Sequence, residues 1–211
     1  MPKRSFYVKD SELDEYQVKV INKRTDNSFI VRGCAGSGKS ILALWKAKQI
    51  QDENKGTWLF VVFTNALKQY MSDGISQIGL ETDNVVTFNK CFFWNRLDGR
   101  LTRGEWKKEN FDYIIVDEAQ DFTKEDILLL KSKAKKALLL YGDSAQQLYS
   151  FIDDRKTVSL EEIAYITSFP TEQLVFNHRL PKKVARIAEY INIEKDYSTP
   201  HSLDHEYYFL S

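Results

Sequence analysis

Phe29-Ile30-Val31-Arg32-Gly33-Cys34-Ala35-Gly36-Ser37-Gly38-Lys39-Ser40 is an apolar run that breaks into a glycine-rich turn and then opens a stretch with helical spacing. From Gly33 to Ser40 it satisfies the Walker A pattern, in the strand-before, helix-after context that gives the pattern its meaning. Glycines let the backbone curl so that its N–H groups and the following helix N-terminus face one point, where the helix dipole favours negative charge. In that geometry Gly33, Gly36, Ser37 and Gly38 form a phosphate cradle. Lys39 bridges the β and γ phosphates and Ser40 ligates magnesium. A glycine turn with no ligand is the alternative, and the flanking strand and helix argue against it.

Outward from this loop, short and almost wholly apolar runs recur at Ser28 to Val31, Trp58 to Phe63, Tyr113 to Val116, Ala137 to Tyr141 and Gln173 to Phe176. Such runs suit strands buried on both faces of a parallel sheet. Helical spacing fills the gaps at Leu13 to Ile21, Ser40 to Ile50, Ala66 to Ile78, Lys124 to Ala134 and Lys182 to Ile191. Thr123 with Asp126 supplies an N-cap and an acidic third helical residue. The expected fold class is therefore α/β, a doubly wound parallel sheet with helices on both faces. Residues 95 to 110, with five Lys and Arg residues and two glycines, read as a surface excursion.

The 211 residues leave room for one such domain and an added element. Hydrophobic residues make up 43% and charged residues 28%, which suits a folded core rather than disorder. Lys plus Arg equals Asp plus Glu at 30 each, so a global basic field is excluded and any nucleic-acid contact must be local. Lys131, Lys133, Lys135 and Lys136 read as a solvated face before they read as a nucleic-acid stripe. Cys34 and Cys91 have no metal-ligand spacing, the start is charged, and no apolar run reaches membrane-spanning length. A cytoplasmic protein without membrane contact is expected.

The second half of the site is Tyr113-Ile114-Ile115-Val116-Asp117-Glu118-Ala119-Gln120-Asp121, an apolar strand ending in a carboxylate pair. An acidic pair behind a strand is otherwise a common helix start. About eighty residues after a phosphate loop it reads as Walker B, with Asp117 in the magnesium shell and Glu118 orienting and deprotonating the attacking water.

The wording Asp-Glu-Ala-Gln-Asp resembles the Walker B box of the UvrD, Rep and PcrA helicases of superfamily 1, and other segments follow in that family's order. Leu13-Asp14-Glu15-Tyr16-Gln17 looks like the Q motif, which implies that Gln17 pairs with adenine. Val62 to Leu67 resembles motif Ia and Val86-Thr87-Phe88-Asn89 resembles motif Ib. The resemblance implies a single-stranded DNA track that includes Phe63, Thr64, Asn65 and Thr87, although Asn89 replaces the family's usual histidine and the rings of Phe88 and Phe92 suit a core equally well. Leu140 to Phe151 resembles motif III, which implies that Gln146 senses the γ-phosphate and Phe151 stacks on a base. Asn177-His178-Arg179 resembles the Asn-Tyr-Arg of motif IV, which implies Arg179 at the γ-phosphate and His178 where a tyrosine stacks on adenine.

What the resemblance implies as a whole is a RecA-like P-loop NTPase that binds ATP and Mg2+ and grips single-stranded DNA. Catalysis would rest on Lys39, Glu118, Gln146 and Arg179. Residues 1–170 would form the first motor lobe and 171–211 the opening of a second, since nothing after Ile191 resembles motifs V or VI. The chain would then be a fragment, a natural truncation or a compact relative, to which other protein subunits could supply a second lobe, and unwinding by this chain alone is not expected. The alternative is a nucleotide-binding regulatory or tethering module with weak or no hydrolysis.

Overall fold

The computed structural model describes residues 13–97, 99–143 and 156–178. Gln146, Phe151, Arg179, the expected helix Lys182 to Ile191 and the tail to Ser211 lie outside the described residues.

Six parallel strands form the main sheet: β1 (Phe29–Gly33), β2 (Trp58–Val62), β3 (Val85–Thr87), β6 (Phe111–Val116), β7 (Ala134–Gly142) and β8 (Thr171–Leu174). A separate antiparallel pair, β4 (Phe92–Leu97) and β5 (Arg100–Trp106), stands between β3 and β6 in the chain. The spatial order of the main sheet is β3-β2-β6-β7-β1-β8.

Strand periodicity sends alternate residues to opposite faces, and each face is apolar. Phe29, Val31, Phe60, Val62, Ile115, Leu139 and Tyr141 bury one way, against α1 (Glu15–Asn22), α2 (Lys39–Asp52) and α3 (Asn65–Gln77) through Val20, Leu42, Ala47, Ile50, Met71 and Ile75. Ile30, Leu59, Val61, Ile114, Val116, Leu138 and Leu140 bury the other way, against α4 (Lys124–Lys133) and α5 (Leu160–Thr167) through Ile127, Leu130, Leu160 and Ile163. The expected doubly wound α/β layering is therefore present, with both faces covered. Among the described residues, no helix is long and apolar enough to cross a membrane.

The structure adds a hairpin and a helix to the expected elements and moves one strand. The excursion at 95 to 110 contains a β-hairpin turning at Gly99, whose φ of 76° suits glycine. Its strands are largely solvent-exposed, so they lack the one-sided alternation that marks a half-buried strand. Helix α5 carries its own start signal, because the Ser159 side chain accepts a bond from Glu162 N at 3.1 Å.

The strand assigned to residues 173–176 and to a second lobe lies at Thr171–Leu174 and pairs with β1 from Ile30↔Thr171 to Gly33↔Leu174. The first sheet thus continues past residue 170, because β1 needs a partner on its open edge. The lysine stripe is put to structural use at two positions: Lys131 donates to Thr167 O, and Lys136 donates to Lys55 O.

Candidate functional site

The strand order brings together the carboxyl ends of β1, β7 and β6, where Gly33, Asp143 and Asp117 respectively emerge. Crevices beyond strand carboxyl ends are where doubly wound sheets hold ligands.

The loop after β1 has its carbonyls engaged from several directions. Lys39 Nζ donates to Gly33 O at 2.7 Å and Cys34 O at 2.9 Å, Asn177 Nδ2 to Ala35 O at 2.7 Å, His178 N to Gly36 O at 2.9 Å, and Gln17 Nε2 to Ser37 O at 3.0 Å. Turning carbonyls outward is what lets the N–H groups of such a loop converge on an anion. Gly38 caps α2 in the left-handed region at φ 90°, and a Cβ there would lie 2.7 Å from Gln17 Nε2. Only glycine meets both demands.

Lys39 is buried, and its ammonium stands 3.9 Å from Asp143 Oδ2. Gln17 spends one amide hydrogen on Ser37 O, while its Oε1 accepts from Asp14 N at 3.2 Å. One hydrogen and one lone pair of that amide remain for a base edge. His178 Nε2 lies 2.7 Å from Asp14 Oδ2.

The carboxylate half is built differently. Asp117 is fully buried, and neither of its oxygens makes a hydrogen bond of ordinary geometry. Burial foremost, and then the charge of Glu118, raise its pKa well above the carboxylate range; the Ser40 hydroxyl, the Lys39 ammonium and the Glu118 N–H offset this only in part. Ser37 Oγ and Tyr141 OH are likewise buried without a partner.

Glu118 is left-handed at φ 54°, ψ 51°, a conformation that costs a non-glycine residue about 1–3 kcal/mol. Gln120 Nε2 holds its Oε2 at 2.8 Å, while Gln120 Oε1 accepts from Asp143 N at 3.0 Å, so one buried amide ties the β6 end to the β7 end. Gly142 makes room for it, since a Cβ there would lie 2.6 Å from Gln120 Oε1. Asp121 is raised to about 7, by burial first and Glu118 second.

An orphaned buried carboxylate beside a serine hydroxyl suits a hard divalent cation, which takes oxygen ligands and completes its shell with phosphate and water. No cluster of three or more His, Cys, Asp or Glu ligands occurs among the described residues, so a cation here would depend on such outside oxygens.

Of the track residues, Asn65 is exposed and Thr64 half-buried, with Thr64 Oγ1 accepting from Leu67 N to cap α3. Phe63 packs edge-on against Phe122 at 5.4 Å, and Thr87 is only 4% exposed. Phe88 is core, wedged edge-on between Phe92 and Phe122.

Sequence reasoning assigned no site role to Asp14, Gln120, Asp143 or Asn177. All four lay inside recognised boxes. Their roles depend on partners distant in the fold, which no local pattern reveals.

Comparison with known proteins agrees with this architecture. The AAA domain family matches residues 17–152. Among solved structures, the Pif1 helicase of Bacteroides bound to single-stranded DNA is 18% identical with a TM-score of 0.50, over 87% of this chain and 45% of that one. The same helicase with ADP-AlF3 and single-stranded DNA is 17% identical with a TM-score of 0.50, over 92% and 52%. The Arterivirus nonstructural protein 10 helicase is 20% identical with a TM-score of 0.46, over 83% and 41%. The chain spans about half the length of the Pif1 chains it matches. It belongs to the AAA domain family, and it shares its fold with the Pif1 helicase structures.

Proposed function

We propose that the chain is an ATP-hydrolysing motor lobe that binds ATP with Mg2+ and contacts single-stranded DNA. The observation that carries this is Asp117, a buried carboxylate with two unbonded oxygens, set beside Ser40 and Lys39 under a loop whose Ala35, Gly36 and Ser37 carbonyls are held by Asn177, His178 and Gln17. Bound Mg2+ would supply charge neutralisation at the phosphates, held through Ser40 and Asp117.

Lys39 exchanges its loop carbonyls for phosphate oxygens, and Gly33, Gly36, Ser37 and Gly38 form the cradle. Glu118, aimed by Gln120, positions the attacking water and takes its proton. Gln17 and His178 flank the base, His178 doing so from its hold on Asp14. Gln146 and Arg179 complete the γ-phosphate surroundings. Thr64 and Asn65 offer polar contacts to a DNA backbone, Phe63 and Phe151 extend the track, the buried Thr87 drops out of it, and other protein subunits supply an opposing lobe. The Pif1 helicase with which the fold is shared was solved on single-stranded DNA, which supports that choice of polymer. The free thiols of Cys34 and Cys91 suit a reducing, cytoplasmic setting.

Thermal shift with Mg-ATP is the direct test. A ligand at a hundredfold over Kd stabilises by about 2.7 kcal/mol, and Lys39→Ala is expected to abolish the shift. Equal shifts in both proteins would remove the phosphate-loop assignment. Strand displacement by residues 1–211 is expected to be absent, because stepping needs two lobes that close around ATP.

A further inference from the structure

The phosphate loop is held in part by a segment beyond residue 152, where the family match ends. Asn177 is buried and donates through Nδ2 to Ala35 O at 2.7 Å, and the next backbone N–H, that of His178, donates to Gly36 O at 2.9 Å. Gln17 takes Ser37 O from the opposite side at 3.0 Å. Three consecutive carbonyls are thus drawn outward by groups from two distant segments.

Those two segments are also fastened to each other. Glu172 pairs with Lys19 at 2.7 Å and with Lys23, Phe176 meets Tyr16 edge-on at 5.5 Å, and His178 meets Asp14 at 2.7 Å. The strand β8, its following loop and helix α1 form one brace around the cradle.

We propose that Asn177 is a positioning residue for the phosphate cradle: its amide holds Ala35 O outward and so keeps the loop's N–H groups aimed at the β-phosphate side of a bound nucleotide. It touches neither nucleotide nor cation. The proposal rests on the phosphate-loop assignment made above. Without the amide, the peptide after Ala35 is free to rotate, and a rotated carbonyl would face the anion. The effect must therefore scale with phosphate and spare the nucleoside.

The test titrates wild type, Asn177→Ala and Lys39→Ala with ADP, tripolyphosphate and adenosine, at a temperature where circular dichroism shows all three folded. Asn177→Ala is expected to weaken ADP and tripolyphosphate by the same factor, about tenfold, which equals the loss of one well-made hydrogen bond. Adenosine affinity should not change. A purely structural role would lower the thermal midpoint without nucleotide and leave that phosphate-to-adenosine ratio intact, which overturns the proposal. So would wild-type affinity in Asn177→Ala, or an equal loss for adenosine and ADP.

If Lys39→Ala binds ADP as wild type does, the phosphate-loop assignment itself has failed. If binding depends on Lys39 but not on Asn177, only the brace has failed. Should Asn177→Ala not fold, Asn177→Ser takes its place with the same outcomes.

Discussion

The two halves of the candidate site are finished to different degrees. In the loop after β1, each carbonyl from Gly33 to Ser37 accepts a hydrogen bond, and the left-handed position at Gly38 is filled by the residue that adopts it without strain. At the end of β6 the reverse holds: Asp117 is buried with bare oxygens, and Glu118 is held left-handed without being glycine. Stability rules alone would favour neither choice at β6. Strain and orphaned charge gather where a ligand is to complete the structure, whereas the surface that receives it is set beforehand. The halves should therefore answer mutation with opposite signs.

The largest expected effect lies in the unfinished half. Glu118→Gln should reduce steady-state phosphate release by on the order of 10²–10⁴, the usual contribution of a positioned general base, while nucleotide affinity stays near wild type. A variant that hydrolyses normally would return Glu118 to a structural role. Next comes the finished half, where Gly38→Ala adds a Cβ 2.7 Å from Gln17 Nε2 at a φ of 90°. It should lower ligand-free stability by about 1–3 kcal/mol, readable in a urea melt, and weaken nucleotide binding with it.

Asp117→Asn should do the opposite to the ligand-free protein. A carboxyl whose folded pKa is raised binds more protons folded than unfolded. Ligand-free stability therefore falls as pH climbs from about 4 through the folded pKa, and the penalty is complete above it. Asp121 adds a fall of the same sign that ends near pH 7, its folded pKa being about 7. Asp117→Asn removes one of the two sources, so at pH 8 without magnesium it should melt higher by roughly 2–4 °C, or about 1 kcal/mol, while binding Mg-nucleotide less well. A lower melting point would show that Asp117 is satisfied without a cation. The smallest effect is expected at Thr64→Ala, where loss of the α3 cap lowers DNA-free stability by only about 0.5–1 kcal/mol in a urea melt.

Much of this contrast is legible in the sequence. Buried parallel strands announce themselves as unbroken apolar runs, so β1, β2, β6 and β7 fall within a few residues of their expected places. The phosphate loop and the acidic pair carry their chemistry in adjacent letters. The hairpin does not, because Phe93, Trp94 and Leu101 are 58%, 43% and 68% exposed and no face is cleanly apolar. The work of Asn177 and Gln120 is hidden for another reason. An amide that satisfies carbonyls 142 residues away, or bridges the ends of two strands, has no local signature. Strand β8 misleads because four residues of mixed polarity become a strand only once β1 offers them an edge.

That edge has a consequence for how the protein keeps to itself in solution. β8 is four residues long and covers β1, the strand that delivers the phosphate loop. Were β8 to peel away, through a proteolytic nick near Pro170 or a chain cut short there, a row of backbone donors and acceptors would be laid bare beside one of the most apolar strands of the sheet. Such a row templates pairing with another chain. A second molecule docking there would sit where Leu174 now meets Gly33, at the mouth of the cradle. Aggregation and loss of nucleotide binding would then be one event.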